Sequence, residues 1–174
     1  MGFFKQLVMG GVLVVMAECP LSGQQESKAP QEFDGAAPHC YKKTAEGELH
    51  LYVFQPQKGR QRNRPAAVFF FGGGWNGGTP GQFAEHASYL ASRGMVGIVA
   101  DYRVKSRQGT TPFECVKDGK SAVRWIRKNS GRLGIDPSRL AAGGGSAGGH
   151  VAAATGTVPG LEEKGEDSAI SAQP

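Results

Sequence analysis

Cysteine and histidine are scarce in this sequence of 174 residues, which has three cysteines and four histidines. Three cysteines are too few for a small secreted scaffold stapled by several disulfides. The apolar stretch at residues 7–17 is too short to span a bilayer, and no second run is long enough. The net charge of +5 is spread along the chain, with one dense basic run at residues 60–64. We therefore expect neither a nucleic-acid partner nor a membrane span.

The first 23 residues have the pattern of a secretory signal peptide. Lys5 supplies the positive charge, residues 7–17 supply the apolar segment, and Ala17 ends an acceptable cleavage site, although cleavage nearer residue 23 fits as well. Cys19 raises the alternative of a lipid anchor, but Glu18 in front of it does not suit such a site. The pattern predicts export to the periplasm or the medium without lipid anchoring.

A polar segment follows the signal peptide. Residues 24–40 are rich in Gln, Glu, Ser, Ala and Pro, which predicts a disordered leader before a single domain at residues 41–174. Removal of Cys19 would leave Cys40 and Cys115 as an even pair in an oxidising compartment. The sequence leaves open whether these two cysteines meet.

Strand and helix patterns alternate along the domain. The predicted strands are residues 48–54, 66–71, 95–100 and 139–142, and the predicted helices are residues 80–93, 112–129 and a segment that ends near residue 155. We expect four cations of the second helix to face solvent, namely Lys117, Lys120, Arg124 and Lys128. This alternation indicates βαβ crossovers, and hence an α/β fold with a mostly parallel sheet and helices on both faces.

Glycine is abundant, with 27 residues that gather at positions 71–81 and 143–149. In the second cluster, Gly144-Gly145-Ser146-Ala147-Gly148 lies between a predicted strand and a predicted helix, as a nucleophile elbow does. Such a turn projects the hydroxyl of Ser146 beyond the sheet. Side chains at Gly144 and Gly148 would collide with the neighbouring strand and helix, and the N–H of Ala147 points at a developing oxyanion.

Dinucleotide binding is the alternative for this cluster. Residues 143–148 also satisfy G-x-G-x-x-G, as residues 72–77 do. A cofactor motif is followed about 20 residues later by a strand that ends in an acid. Glu163 and Asp167 instead lie in a polar stretch without a preceding strand, so the elbow is the favoured interpretation.

The first glycine cluster supplies a partner for the elbow. Three consecutive glycines between Phe71 and Trp75 follow an apolar strand. Without side chains in the way, their backbone N–H groups can converge on one point, as an oxyanion hole requires. Loss of one such donor raises the activation free energy by about 3 kcal/mol.

Four motifs together resemble a known family. They are Phe71-Gly-Gly-Gly-Trp75, Asp101-Tyr102-Arg103, Asp136-Pro-Ser-Arg139 and Gly144-Gly-Ser-Ala-Gly148. They are similar to the α/β-hydrolase fold-3 esterases, the hormone-sensitive-lipase-like and feruloyl- or acetyl-esterase-like group. The resemblance implies an α/β-hydrolase fold and a serine enzyme that hydrolyses small-molecule esters through an acyl-serine, without cofactor or metal.

The resemblance also implies roles for individual residues. Ser146 becomes the nucleophile, and Gly73, Gly74 and Ala147 become oxyanion donors, while Asp101-Tyr102-Arg103 becomes a structural brace near the glycine loop. The chain departs from the family at Phe71, where a histidine is usual. This departure puts in question how the loop is anchored.

A catalytic base is missing from this pattern, since the triad of this fold follows the order Ser, Asp or Glu, His. Three histidines precede the serine, namely His39, His50 and His86. His150 lies one helical turn after Ser146 and is predicted to be a packing or surface residue. Glu163 and Asp167 come too early to be the acid.

We therefore expect part of a longer esterase that lacks the C-terminal strands and is weakly active or inactive alone. A non-catalytic binding or interaction protein that reuses the fold is the alternative, and a peptidase with the same elbow is a third possibility. The acyl and alcohol groups of the substrate and the oligomeric state stay open.

Overall fold

The structure is a computed structural model that describes residues 31–58 and 62–174. The predicted signal peptide, with Cys19, lies outside the described residues. The elements in chain order are β1 (Ala36–Thr44), β2 (Gly47–Phe54), β3 (Arg64–Phe70), a 3-10 turn (Pro80–Phe83), α1 (Ala84–Ser92), β4 (Val96–Ala100), α2 (Lys105–Gln108), α3 (Pro112–Lys128), α4 (Ser130–Leu133), β5 (Ile135–Gly144) and α5 (Ala147–Thr157).

The described strands form one five-stranded sheet in the order β1-β2-β4-β3-β5. β3, β4 and β5 are parallel, whereas β1 pairs with β2, and β2 with β4, in antiparallel fashion. The predicted α/β-hydrolase fold is confirmed, with a mixed sheet because the N-terminal hairpin runs antiparallel. Phe70 of β3 pairs with Gly144 of β5, so the two strands that precede the glycine clusters end side by side.

Helices cover both faces of this sheet. α1 packs on one face through Ala87 and Ala91, while α3 and α5 contribute Val123 and Val151 to the larger core on the other face. Since both faces are covered, every residue of β4 is buried.

α3 begins at the predicted position because its first turn is capped. Thr111 Oγ1 accepts a hydrogen bond from Phe113 N, and Thr111 N donates to Glu114 Oε2, which together form a capping box. Pro112 occupies the first turn of the helix, where its missing N–H costs nothing.

The start of the folded domain was predicted wrongly. β1 begins at Ala36, so residues 36–40 of the predicted disordered leader form part of the sheet. β1 is an edge strand that is partly exposed and carries Pro38, Lys42 and Lys43, which hide its strand character. The boundaries of two further elements also differ: β5 begins at Ile135, and the first predicted helix is divided into the 3-10 turn and α1.

The prediction of solvent-facing cations on α3 is wrong for Lys120 and Arg124, which are buried. The segment that follows α5 folds over them. Lys120 Nζ donates to Val158 O at 2.6 Å, and Arg124 Nε donates to Ile170 O at 2.9 Å. These carbonyls take the place of water, which allows the two cations to be buried.

Candidate functional site

Ser146 lies in the joint between β5, which ends at Gly144, and α5, which begins at Ala147. Its backbone has φ 49° and ψ −119°, a conformation that is unfavourable for a residue with a Cβ. Such strain persists only where the surrounding structure holds it. Ser146 is exposed whereas Ala147 is buried, so the turn presents the serine at the end of the sheet.

Two glycines allow the chain to turn this tightly. A Cβ on Gly148 would lie 2.1 Å from the carbonyl oxygen of Phe70 and 2.3 Å from that of Phe71. A Cβ on Gly144 would lie 2.4 Å from the same oxygen of Phe70. All these obstacles are backbone atoms, so the geometric reason given for glycine at both positions is confirmed.

The first glycine cluster forms a compact loop after β3. Gly73 has φ 138° and Gly74 has φ 61°, conformations that favour glycine. The carbonyl of Gly73 accepts hydrogen bonds from Asn76 N at 3.0 Å and Gly77 N at 3.2 Å. The carbonyl of Gly73 is thus held inside the turn, while Gly73 and Gly74 themselves are exposed.

The structure brings the two glycine clusters together. A Cβ on Gly72 would lie 2.8 Å from Gly145 O, so the two loops are in backbone contact. Gly72 N donates to Gln82 Oε1 at 2.6 Å. Gln82 thereby fixes the glycine loop from the 3-10 turn, a role for which its sequence context gave no signal.

Tyr102 anchors the loop at Phe71, the position at which the sequence departs from the pattern of the family it resembles. The two rings are stacked with centroids 4.1 Å apart, and both residues are fully buried. Tyr102 Oη donates to Phe71 O at 2.6 Å. Burial raises the pKa of Tyr102 far above its usual value, so the phenol remains a donor. A stacked phenylalanine therefore anchors this loop in a chain that has no histidine there.

The segment around α2 completes the brace. Arg107 binds Asp101 with two hydrogen bonds, at 2.7 and 3.0 Å. Its guanidinium carbon lies 5.8 Å from the centroid of the Phe71 ring. Lys105 N and Ser106 N donate to the carbonyls of the two residues that follow the glycines, each at 2.9 Å. Tyr102 braces the loop directly and Asp101 does so through Arg107, whereas the Arg103 side chain binds Asp118 of α3 instead.

His150 lies at the same end of the sheet, where its ring makes an edge contact with Trp75, with centroids 5.5 Å apart. The residue is exposed. Its backbone N–H donates to Ser146 O at 3.0 Å, which is the hydrogen bond of the first turn of α5. This placement agrees with the predicted packing or surface role.

Residues 51–172 match the family model BD-FAE. The chain belongs to this family. Carboxylesterase NlhH of Mycobacterium tuberculosis is 33% identical over 108 residues, which are 61% of this chain and 33% of the relative. A probable isoprenylcysteine alpha-carbonyl methylesterase of Oryza sativa, ICMEL1, is 33% identical over 129 residues, which are 74% of this chain and 29% of the relative.

Solved structures give the same result. The apo form of Thermogutta terrifontis esterase 2 superposes with a TM-score of 0.80 at 49% identity over 83% of this chain and 54% of that chain. The same esterase phosphorylated by paraoxon superposes with a TM-score of 0.79 at 48% identity over 82% and 55%. The predicted resemblance to α/β-hydrolase esterases is confirmed. This chain spans about half the length of the Thermogutta esterase and about a third of the length of the two curated relatives named above.

The acids that follow Ser146 are occupied elsewhere. Glu163 binds Lys42 at 2.7 Å and Arg103 at 3.2 Å, and both cations also bind Asp118 of α3. Asp167 Oδ1 accepts a hydrogen bond from Ala169 N in a turn. Neither acid contacts His150 or Ser146.

The two cysteines of the described residues do not pair. Cys115 is buried in α3 and donates to Arg103 O at 3.1 Å, and burial raises its pKa to about 12. Cys40 lies on the β1–β2 hairpin with Glu48 and His50, and their potential metal-binding atoms lie within 4.8 Å of one another.

Within the two described segments, no helix is long and apolar enough to cross a membrane.

Proposed function

We propose that this chain carries the nucleophile and the oxyanion donors of a serine carboxylic-ester hydrolase. The proposal rests above all on the strained, exposed Ser146, which is held against the glycine loop at the end of β3 and β5. Esterase relatives of similar fold support the same chemistry.

In the proposed reaction, Ser146 Oγ attacks the ester carbonyl carbon and forms a tetrahedral oxyanion. Ala147 N–H, at the start of α5, would donate to this oxygen, since the first N–H groups of a helix have no partner within it. N–H groups of Gly73 and Gly74 would supply the other donors. Collapse of the intermediate expels the alcohol and leaves an acyl-serine, which water then hydrolyses. Neither a cofactor nor a metal enters these steps.

The serine proton requires a base, and the proposal assigns none to the described residues. His150 packs against Trp75 one turn along α5, and Glu163 is held in ion pairs. The base would therefore come from outside the described residues. Without it, an oxyanion hole and substrate binding can still give about 10³- to 10⁴-fold acceleration over water, so we expect the chain alone to be a weak catalyst.

A chimera tests the proposal directly. The aligned part of this chain would replace its counterpart in Thermogutta terrifontis esterase 2, whose remaining half would supply what this chain does not. We expect the chimera to hydrolyse a short p-nitrophenyl ester and to be phosphorylated by paraoxon, as that esterase is. Intact mass measurement followed by peptide mapping should place the phosphoryl group on Ser146.

Matched serine variants make the test specific. Ser146→Ala should lower kcat by about 10⁶-fold, as loss of a serine nucleophile does, and should abolish labelling. Ser138→Ala is the control, since Ser138 is exposed near the start of β5 and its hydroxyl donates to Asp136. A folded chimera without activity, or activity that survives Ser146→Ala, would contradict the proposal. The first result would favour the alternative of a non-catalytic binding protein, which the packing of His150 motivates.

A further inference from the structure

We propose that Cys40, Glu48 and His50 form a zinc site that fastens the edge strand β1 to β2. The thiol sulfur, a carboxylate oxygen and an imidazole nitrogen of these residues all lie within 4.8 Å of one another. None of the three belongs to the candidate site around Ser146, so the inference stands independently of the proposed esterase.

Strand pairing brings the three side chains to one face of the hairpin. Cys40 lies directly opposite His50 in the β1–β2 register. Glu48 precedes His50 by two residues on β2, so both point to the same side. The register shifts between Cys40 and Lys42, and such a bulge redirects side chains. Pairing and bulge together place three different donor types around one point.

The donor set suits zinc better than a hard cation. Thiolate, imidazole and carboxylate are the usual protein ligands of Zn²⁺, and three of them leave a fourth position for water. Zinc–ligand bonds of about 2.0–2.3 Å place the donors of a tetrahedral site roughly 3.3–3.8 Å apart. His50 Nε2 already lies 3.7 Å from Glu48 Oε2. Small rotamer changes of Cys40 and Glu48, which are both half-buried, would close the remaining distance.

The charges around the cluster permit this change. Lys43 Nζ lies 2.8 Å from Glu48 Oε1, but the lysine side chain is 78% exposed and can swing into solvent. Zinc binds cysteine as the thiolate, so metal binding would displace the proton of the Cys40 thiol. His50 is 9% exposed, which fixes the imidazole in place.

The place of the cluster in the fold indicates a structural role. β1 and β5 are the opposite edges of the described sheet, so the cluster lies far from Ser146. β1 pairs with β2 alone in that sheet. A metal bound to Cys40 on one strand and to Glu48 and His50 on the other would restrain this edge strand.

Cobalt titration of the full chain tests the inference, since Co²⁺ occupies zinc sites and reports a thiolate ligand by a charge-transfer band. We expect one equivalent of Co²⁺ to produce the band and Zn²⁺ to remove it by competition. Cys40→Ser should abolish the band and weaken Zn²⁺ binding by more than the ~10- to 100-fold typical of outer-shell changes. Glu48→Gln should weaken it as well.

The other cysteines serve as matched controls. Because a structural metal stabilises the folded chain, Zn²⁺ should also raise the Tm of the wild type. Cys115→Ser and Cys19→Ser should keep both the Co²⁺ band and this rise in Tm, whereas Cys40→Ser should lose both. Circular dichroism would verify that each variant is folded. Absence of a band in the wild-type chain, a band that survives Cys40→Ser, or a band that depends on Cys19 or Cys115 would each overturn the inference.

Discussion

The contact between Gly148 and the end of β3 makes Gly148→Ala the sharpest structural test of the elbow. The added Cβ would lie 2.1 Å from Phe70 O and 2.3 Å from Phe71 O. Even close carbon–oxygen contacts in proteins lie at about 3.3–3.6 Å. Either α5 or the end of β3 would therefore have to move by roughly 1 Å.

The expected magnitude follows from two opposing effects. Alanine gains up to about 1 kcal/mol over glycine within a helix. Overpacking costs about 1–3 kcal/mol, and we expect the upper end because both obstacles are backbone carbonyls. The net loss in free energy of unfolding is then about 2 kcal/mol. Since 1 kcal/mol shifts Tm by roughly 2–4 °C in a chain of this size, Tm should fall by about 4–8 °C.

Gly156→Ala is the matched control because it lies in the same helix, α5. Its Cβ would meet only Pro174 Cδ, at 3.6 Å, which is an ordinary contact. We expect this variant to gain roughly 0.5 kcal/mol. Urea unfolding of the full chain, followed by circular dichroism, measures both changes. Equal stability of the two variants would refute the steric account of the elbow.

Three further predictions concern the brace and the buried ions. Tyr102→Phe leaves the buried carbonyl of Phe71 without its donor and should cost about 1–3 kcal/mol in urea unfolding. Asp118→Asn removes the charge of a fully buried carboxylate that binds Arg103 at 2.8 and 2.9 Å, and should cost about 3–5 kcal/mol. The pKa of Glu163 is lowered, chiefly by its hydrogen bond from a lysine, so its contribution to stability is present at neutral pH and is lost as pH falls below about 4. Glu163→Gln should therefore lose less stability than the wild type between pH 7 and 3.

Exposed counterparts separate these effects from general damage. Tyr89 is 64% exposed and Asp34 is exposed, so Tyr89→Phe and Asp34→Asn should change the free energy of unfolding by less than about 0.5 kcal/mol. If a control variant lost as much free energy of unfolding as its buried counterpart, the loss in the buried variant could not be assigned to the contact named for it. If the stability of Glu163→Gln fell with pH as much as that of the wild type, the ion pairs of Glu163 would not contribute to the loss of stability in acid.

The two glycine turns could be predicted from the sequence because each is built on positions that only glycine fits, whether the constraint is the local backbone conformation or the nearby end of β3. Gly144 and Gly148 each have backbone carbonyls where a Cβ would be, and Gly73 and Gly74 take conformations that favour glycine. Such constraints leave a mark on residue type at fixed spacing. The alternation of strands and helices further predicts that β3 and β5 run parallel, as they do.

Features that depend on a hydrogen bond or strand pairing with a distant residue, rather than on a position that only glycine fits, left no such mark. Lys120 and Arg124 look like solvent-facing cations in a helical pattern, because their partners lie 38 to 46 residues later in the chain. Gln82 is one polar residue in a turn until the fold brings Gly72 N to it. β1 carries Pro38 and two lysines and shows its strand character only through pairing with β2.

The brace divides the proposed site into a local part and a distant part. Phe71, Tyr102 and Arg107 hold the glycine loop through contacts that lie within 36 residues of one another in the chain. In the proposed reaction, the donor geometry would therefore be built by these contacts and would not require whatever supplies the base. Proton transfer would be the step that needs a base outside the described residues. The chimera should consequently have a higher kcat than the 174-residue chain alone, because it restores proton transfer. Tyr102→Phe within the chimera should lower kcat by loosening the donors. Labelling should stay specific for Ser146.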